Sequence, residues 1–159
     1  MTVVVWRIAT ITPDYGADDL AGAGAKKTGG RWNRPGLPVL YCASTRALAA
    51  LETVVHLAAD ALPLNRYLVQ IGIPKKVFDA RETLTATTAP VGWDALPVGI
   101  ISLDFGDKWL TSKRSAVIEV PSIVVPEESN ILINPEHTDA AKITAKVVRK
   151  WVYDARITK

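Results

Sequence analysis

Short runs of β-branched residues, each closed by a turn-forming residue, dominate the hydrophobic pattern of the chain. Residues 3–8 are the first and suit a buried strand, with Arg7 read as a side chain snorkelling at a sheet edge. Residues 39–43, 68–73, 116–120 and 129–133 give four more, the last three stopped by Pro74, Pro121 and Asn134-Pro135. Ala145, Val147, Trp151 and Tyr153 share one parity, which predicts a closing strand over 145–153 with Arg149 as its exception.

Helical spacing is rarer. Leu48, Leu51, Val55 and Ala59 recur every three or four residues, so a helix is expected over 46–59, capped by Ser44 or Thr45, with that stripe buried. Glu52 falls four residues after Leu48, on the same side or its edge, where a carboxylate is costly unless paired. A second helix is expected around the amphipathic run 104–110. The small-residue run 21–25 has no periodicity and reads as loop within an irregular stretch over 9–27, and 75–90 reads as strand remnants and loop. Strands outnumber helices in mixed order, with no repeat and no linker. These features predict one α+β domain over residues 1–159.

Composition adds limits. A length of 159 residues, nearly half of them hydrophobic, is enough for a real core. The formal charge of +3 permits an anionic ligand but falls short of a nucleic-acid-binding stripe, and no helix-turn-helix is evident. A lone cysteine, Cys42, rules out an internal disulfide and reads as a small buried residue in a reducing compartment. The N-terminal apolar run is too short for a signal segment, so a soluble, cytoplasmic protein without membrane association is expected.

The densest recognition chemistry is Gly29-Gly30-Arg31-Trp32-Asn33, where two glycines precede a guanidinium, an indole and an amide. The Arg31 fork matches phosphate oxygens bidentately, although the glycine spacing is neither a Walker A loop nor a dinucleotide fingerprint. Tyr41, ending a strand, either stacks on a flat ring or packs in the core. Ser122, after Pro121, either donates to a ligand or caps a turn. Glu52 either joins a structural ion pair or faces a cleft, where a carboxylate binds sugar hydroxyls and steadies positive charge. His56 and His137 sit in no zinc-ligand spacing, so no metal site is expected, and no G-x-S-x-G elbow is present. The segment 130–137 reads on its own as strand and turn.

The order Gly-Gly-Arg-Trp-Asn, Tyr41, Ala-Leu-Glu with His56, Val-Pro-Ser, then Asn-Ile-Leu-Ile-Asn-Pro-Glu-His resembles the RES-domain toxins of bacterial toxin–antitoxin systems, from Trp6-Arg7 to Arg156. The family's Arg, Glu and Ser fall on Arg31, Glu52 and Ser122, with Tyr41 as a further site residue and Trp32 in the same binding loop; Ser115 is the rival for the serine. The resemblance implies a fold similar to ADP-ribosyltransferase toxins and an enzyme, an NAD glycohydrolase or phosphorylase, that depletes NAD and arrests growth. NAD is then the substrate, and no bound cofactor is implied. It also implies an Xre-like helix-turn-helix antitoxin that covers the pocket in a dimer or larger hetero-oligomer and alone brings the complex to DNA.

That chemistry suits the residues. Cleaving the nicotinamide–ribose bond passes through an oxocarbenium-like state, which an anionic group beside the ribose stabilises. Arg31 is expected to grip phosphate, Tyr41 to fix the nicotinamide end, Glu52 to hold ribose hydroxyls and Ser122 to position the substrate. An ADP-ribosyltransferase acting on a protein would use the same pocket, and a non-catalytic module would bind an anionic partner through the Arg31 loop.

Overall fold

The computed structural model describes residues 1–57 and 61–158. Eleven regular elements follow in chain order: β1 (Thr2–Thr10), α1 (Ala23–Thr28), β2 (Leu40–Ala43), α2 (Arg46–Val54), β3 (Arg66–Pro74), α3 (Lys75–Asp79), β4 (Glu82–Thr83), α4 (Ile100–Ser112), β5 (Val117–Pro121), β6 (Ser129–Ile133) and β7 (Thr144–Trp151). The strands form one seven-stranded sheet in the order β4-β5-β6-β2-β1-β3-β7. Every pairing is antiparallel except β4 with β5, so the fold is α+β around a mixed sheet.

Alternation along the strands sorts side chains onto two faces. Val5, Ala9, Cys42, Val69, Ile71, Val117 and Ile131 share one face and pack against Ala17, Val77 and Ile143. The opposite face carries two separate apolar clusters. One gathers Trp6, Ile8, Ala43 and Leu68 under Leu48 and Ala49 of α2. The other gathers Ile118, Val120 and Leu132 under Trp32, Trp93 and the α4 residues Trp109 and Leu110. A seam between two apolar clusters is where a polar group can sit without breaking a core, and the candidate site lies there.

Several elements depart from the expectations, each for a local reason. The run expected as loop over 21–25 enters α1, which buries no residue and so leaves no hydrophobic stripe to read. Arg7 is not at an edge, because β1 lies between β2 and β3. These two neighbours differ: β1 meets β2 at the single pair Trp6–Ala43, and the Arg7 guanidinium donates to the Tyr41 carbonyl at 3.0 Å just beyond it. Thr45 is the α2 cap, its hydroxyl accepting from the Leu48 N–H at 3.1 Å. The buried face of α2 is rotated from the expected stripe: Leu48 and Ala49 are buried, whereas Leu51 and Val55 are exposed. The helix ends at Val54, and Ala59, expected in its last turn, lies outside the described residues.

Within the stretch expected as strand remnants and loop, residues 75–79 instead form α3, and β4 is a two-residue strand. A register shift between Leu68 and Val69 reverses the faces of β7 midway. Ala145 and Val147 pair with Ile71 and Val69, but Trp151 pairs with Arg66 and falls on the opposite face, so the single parity expected over 145–153 is broken. No helix among the described residues is long and apolar enough to cross a membrane.

Candidate active site

Four strands set the floor of the site. Trp6, Ala43, Asn130 and Val120 are successive cross-strand partners from β1 through β2 and β6 to β5. Asn130 is the one polar residue in that row. Above it stands Glu52 from α2, placed on the inner side of the helix by the same rotation that buries Leu48 and Ala49. The Asn130 amide donates to Glu52 Oε1 at 2.7 Å, and the Ser122 hydroxyl donates to the same oxygen at 2.6 Å. Among the described residues no side chain occupies Oε2. A carboxylate bonded on one oxygen and open on the other can accept from a ligand hydroxyl or face a developing cation.

Ser122 differs from its expected role. The residue is 0% exposed, so its hydroxyl is not available to a ligand. It follows β5 with the parity of Val120, and its oxygen accepts from the N–H groups of Val124 and Val125 at 3.1 and 3.0 Å while donating to Glu52. Ser122 therefore orients the carboxylate rather than the substrate. The rival Ser115 is committed elsewhere: it accepts from the Trp109 indole N–H and donates to the Val117 carbonyl. His56 is exposed in the turn that ends α2.

Arg31 approaches from the other cluster. Its Nη1 donates to the Trp93 and Ala95 carbonyls at 2.9 and 3.0 Å, tying the glycine loop to the segment before α4. One side of the fork is thereby fixed, and among the described residues no hydrogen bond takes Nη2 or Nε. Partial burial lowers its pKa from the ordinary arginine value, against the pull of Glu52 and Asp94, and an arginine stays charged regardless. Arg31 and Glu52 attract each other, yet among the described residues no direct ion pair joins them. A positive and a negative group thus lie within electrostatic reach of each other without an ion pair among the described residues.

Tyr41, Trp32 and Asn33 build the loop. The Tyr41 hydroxyl donates to Asn33 Oδ1 at 2.7 Å and accepts from the Trp32 N–H at 3.0 Å. With both partners internal and the phenol buried, its pKa rises well above the usual tyrosine value. Asn33, 0% exposed, donates to the carbonyls of Ala25, Arg34 and Leu37. Trp32 turns into the core, 3% exposed, stacked on Trp93 at 6.2 Å and edge-on to Phe105. Gly30 has a steric reason to be glycine: a Cβ there would lie 2.7 Å from the Tyr41 hydroxyl.

The RES domain family matches residues 4–155, nearly the whole chain. The chain belongs to the RES domain family. Among its relatives is the "Prs ADP-ribosylating toxin" of Sphingobium sp. (strain YBL2), 57% identical over 157 residues, covering 99% of this chain and 98% of that protein. "Toxin Res" of Photorhabdus laumondii is 35% identical over 87% of this chain and 88% of its own length. "Toxin Res" of Pseudomonas putida is 31% identical over 98% of this chain and 99% of its own. The protein is thus a RES-domain toxin. The resemblance placed the family's Arg, Glu and Ser on Arg31, Glu52 and Ser122, and all three lie around the seam. In the sequence Asn130 reads only as the first residue of the strand-and-turn segment 130–137 and not as a site residue, because an asparagine at the start of a strand reads as a boundary and its role depends on the cross-strand row.

Proposed function

We propose that this RES-domain toxin cleaves NAD at the nicotinamide–ribose bond and passes the ADP-ribosyl group to a protein. The observation that carries the reading is the Glu52 carboxylate, held on one oxygen by Ser122 and Asn130, with no side chain among the described residues bonded to the other, and within electrostatic reach of the Arg31 guanidinium. Arg31 would hold the pyrophosphate through the donors that the Trp93 and Ala95 carbonyls leave free. Glu52 would accept from a ribose hydroxyl and stabilise the oxocarbenium-like state as nicotinamide leaves with the bonding electron pair. The acceptor then forms the new bond to the ribose carbon and loses its proton. Tyr41 would contribute only its ring to the nicotinamide end, since its hydroxyl is spent on the loop. Trp32 would act by shaping the loop, and NAD is substrate, with no separate cofactor.

Transfer to a protein is favoured by the 57% identical relative, whose name describes an ADP-ribosylating toxin and gives Prs as its target. Breakdown of NAD by water or phosphate shares the first step and differs only in the nucleophile. Labelled NAD incubated with the toxin, with and without purified Prs from the same host, separates the two. Label on Prs is the expected result; label recovered only as free ADP-ribose or its phosphate would contradict transfer and leave NAD depletion as the activity. The two relatives named "Toxin Res" also support an antitoxin partner, proposed as an Xre-like helix-turn-helix protein that covers the seam in a hetero-oligomer and brings the complex to DNA.

A further inference from the structure

We infer that Asn130 is a positioning residue for Glu52 that fixes which carboxylate oxygen meets the substrate; the inference rests on the NAD-cleaving reading above. Asn130 is rigidly held. Strand β6 lies inside the sheet, and Asn130 is paired to Ala43 on one side and to Val120 on the other. Glu52, by contrast, sits on a nine-residue helix, two positions before its end, on a side chain with three rotatable bonds. A donor on the sheet therefore supplies a short, strand-anchored reference for a carboxylate on a longer side chain near the end of a short helix.

The two ends of the Asn130 amide are unequal. Its Nδ2 donates to Glu52 Oε1 at 2.7 Å, whereas its Oδ1 is buried with no hydrogen-bond partner among the described residues. A buried carbonyl left unpaired is destabilising, and a purely structural asparagine would be selected to satisfy both ends. The orientation is dictated by Glu52, because turning the amide over would set its carbonyl against an oxygen that only accepts. Asn130 and Ser122 together place two donors on Oε1, so Oε2 is the oxygen presented to the ribose. Its unpartnered oxygen is buried, so Asn130 reaches the substrate through Glu52 and not through that oxygen.

The test compares wild-type protein with N130A and N130D in steady-state NAD turnover and thermal melting. Losing a charge-assisted hydrogen bond is expected to lower kcat of N130A about tenfold or more, with KM for NAD little changed. Its melting temperature is expected to fall by only a few degrees, because one hydrogen bond and a small side-chain volume are lost together with the unpartnered oxygen. N130D is nearly isosteric, so packing alone predicts the milder effect, but it sets a like charge against Oε1 and should be the less active of the two. Wild-type kcat in folded N130A, or N130D at least as active as N130A, would overturn the positioning role. A wild-type protein that turns over no NAD would overturn the functional reading and this inference with it, whereas turnover by wild type with unchanged N130A overturns only the inference.

Discussion

The chemistry is concentrated in a few side chains whose partners define what each can do. Arg31 illustrates this. Two backbone carbonyls take one end of its guanidinium, and a planar fork can serve them while still presenting other N–H groups outward. Lysine carries the same charge on a single nitrogen and cannot serve both sides. R31K is therefore expected to raise KM for NAD by about tenfold or more while the protein stays folded, since hydrogen bonds to charged groups contribute about 1.5–3 kcal/mol. Steady-state kinetics on the purified variant would check it, and a wild-type KM would contradict the phosphate role. At this scale the sequence singled out Glu52 and Arg31, because a carboxylate on an apolar stripe and a guanidinium after two glycines are local anomalies. It could not divide Trp32 from the ligand or expose the commitment of the Tyr41 hydroxyl. An aromatic beside a glycine turn reads the same whether it faces a ligand or a core.

Elements bring these residues together, and the tightest junction is between α4 and the glycine loop. Gly106 of α4 lies so near the loop that a Cβ would sit 1.7 Å from the Trp32 carbonyl oxygen. Arg34 reinforces the junction, its backbone N–H and guanidinium both bonding Asp107 and a further nitrogen reaching Asp104. G106A must push α4 away from the loop, with an expected loss of about 3 kcal/mol or more. In a domain of this size that lowers the melting temperature by on the order of 10 °C. Calorimetry would check it; a melting temperature equal to wild type would mean the helix and loop can separate freely. The strands were largely legible because β-branched runs ended by Pro or Asn leave few alternatives, and the 129–133 run coincides with β6. Helices were less so. α1 buries nothing, and α2 buries Leu48 and Ala49 rather than the Leu51–Val55 side, so a hydrophobic stripe pointed to the wrong face. The bulge in β7 reversed a parity that local alternation could not foresee.

For the whole molecule, the decisive features are non-local. Sheet order β4-β5-β6-β2-β1-β3-β7 sets β6 beside β2, and only that adjacency puts Asn130 and the residue after Pro121 beneath a helix that follows β2. No periodicity along the chain encodes it. Two apolar clusters on one face, rather than one, leave the seam in which a charged pair of residues can coexist with a close-packed interior. Cys42, by contrast, sits on the other face, where burial pushes its thiol up to about 12 and keeps it out of the chemistry. The most direct measurement is nicotinamide release from NAD in the presence of host-cell lysate, comparing wild-type protein with E52Q. Wild type should release nicotinamide, and folded E52Q, equal in size but lacking the charge, should release less than about one-hundredth as much, as for a lost electrostatic stabiliser of a transition state. Folded E52Q releasing nicotinamide at the wild-type rate would contradict the placement of catalysis at Glu52.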